Sequence, residues 1–187
     1  MTHEPSFSSP RWVAARLALF YAALFVVIGI FMPYWPIWLQ SRGLDEVQIG
    51  MVFAVAMLTR TVAMPTAVHV ADLLGKRHLT MRFLAAGAAG VYLLYGLTWN
   101  FWTVLPVAAL AACFLSPLMP LAENLTVRAV YRQKLDYGHI RLWGSVTFIL
   151  ATVAGGYILE GQPPDLVWWM IVGAIALTFG ATLLLPP

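Results

Sequence analysis

The sequence predicts an all-α membrane protein whose six transmembrane helices form one bundle. Three observations carry this. Of 187 residues, 61% are hydrophobic and 10% charged, with a mean hydropathy of +0.80, which is more apolar surface than a soluble domain of this size can bury. Apolar runs of about 20 residues, the length that crosses a bilayer, recur along the chain. Basic residues gather in every second connection, as a fixed membrane topology requires.

Residues 1–11 are polar and read as a cytoplasmic tail, with the bundle spanning 12–187. The first charge-free run, Leu17 to Leu39, is too long for a signal-peptide core, and no small-residue cleavage site follows it. The second, Ile49 to Val70, is interrupted midway by Arg60. No charge occurs from Phe83 to Ala122, which is room for two spans. Their break is expected at Thr98–Trp102, an aromatic belt around a polar turn. The fifth run is Leu142 to Leu159 and the sixth begins at Leu166, separated by the loop signal Glu160-Gly161-Gln162-Pro163-Pro164-Asp165.

With the N-terminus in the cytoplasm, Arg11, Arg16, Lys76, Arg77, Arg82, Arg128, Arg132, Lys134 and Arg141 all lie on that side. Only Arg42 falls outside, and Arg60 sits within the membrane. Both termini are therefore expected to be cytoplasmic. Six helices can divide into a 3+3 inverted repeat. Pro33/Pro36 and Pro117/Pro120 hint at one, each pair expected at the far end of the first helix of a triplet, although proline is common in membrane helices generally.

Charge inside the apolar runs is the functional signal. A charge at mid-membrane costs roughly 2.5–3.5 kcal/mol on the insertion scale, so one that is kept marks a partner or a watery path. Glu123 is expected near the end of the fourth span and Arg141 at the start of the fifth, either lining a cavity or pinning the two helices together. Arg60 contacts solute or coupling ion, or else serves as a buried packing partner, with Glu123 as one candidate to pair with it. Tyr21 and Trp143 are aromatic candidates for the cavity. Trp35, Trp38, Trp99, Trp102, Trp168 and Trp169 read as interface anchors.

Other chemistry finds little support. The single cysteine, Cys113, lies in an apolar run and reads as a packed residue. His69 and Asp72 share a helical face but have no further ligand nearby, so neither a metal nor a cofactor is expected. No nucleophile–base or zinc-hydrolase pattern lies within a span, and the chain is not expected to be an enzyme, an ion channel or a nucleic-acid binder.

The loop Ala71-Asp72-Leu73-Leu74-Gly75-Lys76-Arg77 resembles the signature loop of the major facilitator superfamily, keeping its aspartate (Asp72), glycine (Gly75) and basic pair (Lys76, Arg77). Val68 and Leu73 depart from it. The aspartate could cap a neighbouring helix, and the glycine permits the tight turn. Pro33, Pro36, Ile37, Trp38, Leu39 and Gly50 resemble the first outer loop of the lactose permease family. Asp136 to Ser145 is similar to the neighbouring 3-phenylpropionate permease branch. The resemblance covers the first five helices and weakens in the sixth.

The resemblance implies the N-terminal half of a proton-linked symporter in a bacterial inner membrane, with Glu123 and Arg141 on positions that contact substrate. Phe148 stands where the lactose permeases have a sugar-stacking tryptophan, and His139 replaces a basic residue. A small organic solute such as an aromatic acid is therefore expected, bound through a bidentate arginine pair. A sugar or nucleoside is the alternative. Because the family's main proton-coupling residues lie in its second half, transport is expected to need a second six-helix bundle, another copy or a separate half. The rival is an inactive membrane fragment or assembly subunit with the same fold.

Overall fold

The computed structural model describes residues 9–185. Its helices are α1 (Pro10–Ser41), α2 (Glu46–Leu74), α3 (Arg77–Leu94, followed by a short 3-10 turn), α4 (Phe101–Leu115), α5 (Leu118–Gln133), α6 (Tyr137–Leu159) and α7 (Asp165–Leu183). Taking α4 and α5 as one interrupted span, six helices are long and apolar enough to cross a membrane. The expected six-helix, all-α architecture is what the chain adopts.

Local chemistry sets the boundaries. Asp45 and Asn100 begin α2 and α4 with reciprocal capping boxes to Gln48 and Thr103, which satisfy otherwise orphaned N–H groups. Gly75 ends α2 in the left-handed region at φ 64°, where a side chain would be strained. Pro117 and Pro120, which have no N–H to donate, mark the interruption between α4 and α5.

Two boundaries differ from expectation. The fourth span continues through α5 to Gln133, past the apolar stretch, because helical hydrogen bonding does not stop where hydrophobicity stops. Pro117/Pro120 therefore lies midway along that span, whereas Pro33/Pro36 lies near the end of α1. α6 begins at Tyr137, so Arg141 is already one turn inside the helix.

The central element is α1. It packs against α6 and α7, while α4 packs against α2, and α3 bridges α7 and α4. Two apolar cores stack along the bundle. One, around Leu17, Phe20, Tyr21, Met81, Leu118 and Leu121, lies at the end carrying most basic residues. The other surrounds Trp35, Trp38, Tyr92, Tyr95 and Ile171.

Trp35 and Trp38 are buried (1% and 0% exposed) and stacked with ring centroids 4.6 Å apart, a correction to their expected role as interface anchors. The Trp38 indole N–H donates to Asp165 at 3.2 Å, and Arg42 both lies over that ring at 4.7 Å and pairs with Asp165 at 2.7 Å. The polar tip is thus satisfied inside the protein, so the headgroup region is not needed. Trp168, half-buried, similarly donates to the Tyr92 carbonyl at 2.7 Å, while Trp99, Trp102 and Trp169 are exposed.

Close approach of α1 and α6 positions the candidate site. Thr152 Oγ1 donates to the Gly29 carbonyl at 3.0 Å, and the Tyr34 hydroxyl donates to the Thr152 carbonyl. Thr147 Oγ1 lies 3.0 Å from the Ala22 carbonyl while also in reach of the Trp143 carbonyl of its own helix at 2.9 Å. Such bonds and small residues are how helices associate where lipid supplies no hydrophobic drive. A Cβ on Gly29 would lie 2.7 Å from the Phe148 carbonyl oxygen and 3.1 Å from the Ala151 Cβ. Gly29→Ala is therefore expected to cost about 1–3 kcal/mol through overpacking, read as a lowered melting temperature in detergent.

Candidate functional site

Three helices bring a charged cluster together near the basic end of the bundle. α5 supplies Glu123, α6 supplies Tyr137 and Arg141, and α1 supplies Tyr21 and Phe25. Arg141 Nε lies 3.4 Å from Glu123 Oε1, and the Tyr137 hydroxyl donates to Glu123 Oε2 at 2.6 Å. The Arg141 guanidinium carbon sits 4.3 Å from the Phe25 ring centroid and 5.4 Å from that of Tyr21, both within cation–π range. The two charged side chains are 32% and 28% exposed, so the pair is neither sealed in the core nor fully in solvent.

The spacing explains the assembly. Tyr21 and Phe25 are four apart on α1, and Tyr137 and Arg141 four apart on α6, so each pair shares a helical face. Tyr21 is fully buried, and its hydroxyl has no hydrogen-bond partner. Neighbouring Thr126 donates its hydroxyl proton to the Ala122 carbonyl at 2.8 Å, and its oxygen keeps lone pairs that face the Tyr21 hydroxyl.

Alongside the cluster runs an open groove of about 320 Å³ between α1 and α6. It is lined by Phe25, Ile28, Met32, Ser145, Phe148 and Ile149. Phe25 belongs to both features: one ring carries the guanidinium and also walls the groove.

Of the residues singled out from the sequence, Tyr21, Glu123 and Arg141 meet directly, and Phe148 joins them through the groove. Arg60 and Trp143 do not. Arg60 is exposed on α2, and no ion pair joins it to Glu123 among the described residues. Trp143 is 56% exposed on α6. Phe25 and Tyr137 were not singled out. Their four-residue offsets from Tyr21 and Arg141 are the signal that could have found them.

The loop between α2 and α3 holds together by charge. Asp72 Oδ1 accepts from Arg77 Nε at 2.8 Å and also from Arg77 Nη2. The acid therefore grips an arginine side chain, and no side chain caps the start of α3, which corrects the expected cap. Gly75 makes the turn and Lys76 is exposed beside it.

At the turn before α6, Asp136 caps the helix by accepting the His139 N–H at 3.2 Å, and its other oxygen lies 2.8 Å from His139 Nδ1. The side-chain contact with His139, then the backbone one, holds the Asp136 carboxyl below its usual range. A depressed folded value means that this cap stabilises above the unfolded value near ~3.9 and fades as pH falls through the folded one. Asp136→Asn is expected to lower the melting temperature slightly at neutral pH, with the difference shrinking in acid, checked by thermal scans across pH.

The MFS_1-like family model matches residues 14–186. This chain belongs to the major facilitator superfamily. It is 32% identical over 159 residues to an Escherichia coli K12 protein named "Probable 3-phenylpropionic acid transporter", covering 81% of this chain and 39% of that protein. It is 28% identical over 155 residues to the maltose permease of Geobacillus stearothermophilus, covering 80% and 39%. It is 28% identical over 163 residues to the multidrug resistance protein MdtG of Enterobacter lignolyticus, covering 83% and 38%. The chain thus spans about two fifths of the length of these curated relatives. They are transporters and permeases rather than enzymes, and with six membrane-capable helices this superfamily member is an integral membrane protein.

Proposed function

We propose that this chain forms one bundle of a proton-linked permease for a small organic acid, aromatic by preference. Arg141 takes the carboxylate, and the groove between α1 and α6 takes the apolar body. The observation that carries this is the shared Phe25 ring, which joins a guanidinium to an apolar groove in one continuous surface. The buried Tyr21 ring backs the same guanidinium from the core side. The relative named for 3-phenylpropionic acid supports the choice of solute class.

A sugar or nucleoside is the weaker fit. Its hydroxyls would each need a partner on binding, since an unmade hydrogen bond in a dry site is costly. Ser145 is the one polar side chain among the six groove-lining residues. Proton linkage belongs to the same reading, because a solute carboxylate would compete with the Glu123 carboxylate for one guanidinium.

The same reading pairs the bundle with a second one across the exposed faces of α2 and α6, as a further copy or a separate half. It sets the cluster toward the cytoplasm of a bacterial inner membrane, with both chain ends on that side. A 3+3 inverted repeat is supported by the packing order. If the first three spans map onto the last three, α1 against α6 becomes α4 against α2, and both pairs exist.

Equilibrium binding to purified protein tests the solute class. Micromolar-to-millimolar affinity for 3-phenylpropionate with none for maltose is the expected result. Maltose binding without acid binding overturns the reading, and binding of neither solute favours the inactive-fragment rival.

A further inference from the structure

The two oxygens of Glu123 are held unequally. Oε2 accepts the Tyr137 hydroxyl at 2.6 Å, whereas Oε1 meets only Arg141 Nε, at 3.4 Å. Left to themselves, a carboxylate and a guanidinium settle into two parallel hydrogen bonds of about 2.8 Å. Here they do not, and among the described residues neither Nη of Arg141 donates a hydrogen bond. The stronger hold on Glu123 comes from a neutral phenol.

We propose that Tyr137 is a positioning residue that keeps Glu123 out of a bidentate pair with Arg141, leaving the outer fork of the guanidinium open to an acidic solute. This rests on the reading that Arg141 receives the solute carboxylate. Tyr137 is the first residue of α6, four before Arg141 on the same face, so its hydroxyl and the guanidinium approach one carboxylate from one helix. Tyr137 is 36% exposed, and its hydroxyl holds Glu123 while lying close to the Arg141 side chain. The groups facing Glu123 are Tyr137 and Arg141 from α6 and Tyr21 from α1. Arg141 is the only charged partner within ion-pair distance among the described residues.

Without the phenol, Glu123 has one set of unused donors at hand, the Nη pair of Arg141. Once Glu123 closes onto them, a solute acid must displace an internal anion before it can bind. Tyr137 thereby sets how strongly acids are preferred over neutral analogues of the same shape.

Two measurements on the full chain test this. The first needs no solute: phenylglyoxal labelling of Arg141, followed by mass spectrometry. Tyr137→Phe is expected to slow labelling several-fold, and adding Glu123→Gln to restore the wild-type rate. The second compares binding of 3-phenylpropionate with its neutral amide. Tyr137→Phe should weaken the acid about tenfold, the worth of one hydrogen bond to a charged group, and leave the amide unchanged. In a Glu123→Gln background the same change should cost the acid less than about twofold, because nothing remains to compete.

Labelling unchanged by Tyr137→Phe, or slowed equally in the Glu123→Gln background, overturns the proposal. So does a Glu123→Gln chain that binds the acid more weakly than wild type. Should Arg141→Ala bind the acid as well as wild type, the solute reading itself fails. Should Arg141→Ala lose the acid while Tyr137→Phe has no effect, only the role of Tyr137 fails. A melting temperature for each variant separates these outcomes from misfolding.

Discussion

Arg141→Ala is expected to weaken binding of 3-phenylpropionate by roughly 30-fold to more than 1,000-fold, the ~2–5 kcal/mol that follows loss of one partner from a desolvated charge pair. The loss has two parts. The acid forfeits its two parallel charge-assisted bonds, and Glu123 is left beside the groove with the Tyr137 hydroxyl as its one remaining donor. An ionised Glu123 then repels the incoming carboxylate directly. Arg141→Lys should recover only part of this, because an ammonium is a point charge that cannot present a planar fork. The amide analogue should lose much less, since its hold is the apolar groove. Isothermal titration of the three proteins with acid and amide checks both statements. Equal losses for acid and amide would mean that Arg141 shapes the groove without reading charge. Folding is expected to survive, because both side chains of the pair are about one-third exposed and exposed pairs add little to stability.

Much of this molecule was legible before any coordinates. The span count follows from apolar runs. The rule that charges near lipid pair or meet water marked Glu123 and Arg141, while leaving open whether they pair with each other, line a cavity, or pair Glu123 with Arg60. What was hidden has physical causes. Phe25 and Tyr137 are two aromatics among many in a membrane chain, and only the helix phase that sets each one turn from Tyr21 or Arg141 distinguishes them. Trp35 and Trp38 look like belt residues because they lie near the end of α1, yet α1 is the central helix and has neighbours at that depth. Burial of an indole needs a partner for its N–H, and Asp165, distant in sequence, supplies it to Trp38. Hydropathy places the end of the fourth span at Ala122, whereas the helix runs on to Gln133. Glu123 therefore sits within a continuous helix, well short of its end.

Arg60 leads to the second large effect. It stands midway along α2 on an exposed surface, and among the described residues no acid pairs with it. Facing lipid, it would cost roughly 2.5–3.5 kcal/mol. In α2 and α6, only 11% of the most apolar window is buried, against 39–50% in the other spans. Helices this bare that also carry Arg60 and Arg141 are better served by a protein-walled aqueous cavity than by hydrocarbon. Proteoliposomes holding this chain as a proven monomer are expected to accumulate no 3-phenylpropionate under an imposed proton gradient, because a single bundle has nothing to close against. Uptake should appear only where a second six-helix bundle is present, as a crosslinkable dimer of this chain or a co-reconstituted second half. In that assembly Arg60→Leu is expected to abolish uptake, while in the isolated chain it should leave the melting temperature unchanged or raise it, since an uncompensated charge has been removed. Proton-driven accumulation by the monomer would overturn the two-bundle requirement. An Arg60→Leu assembly that transports normally would return Arg60 to a packing role.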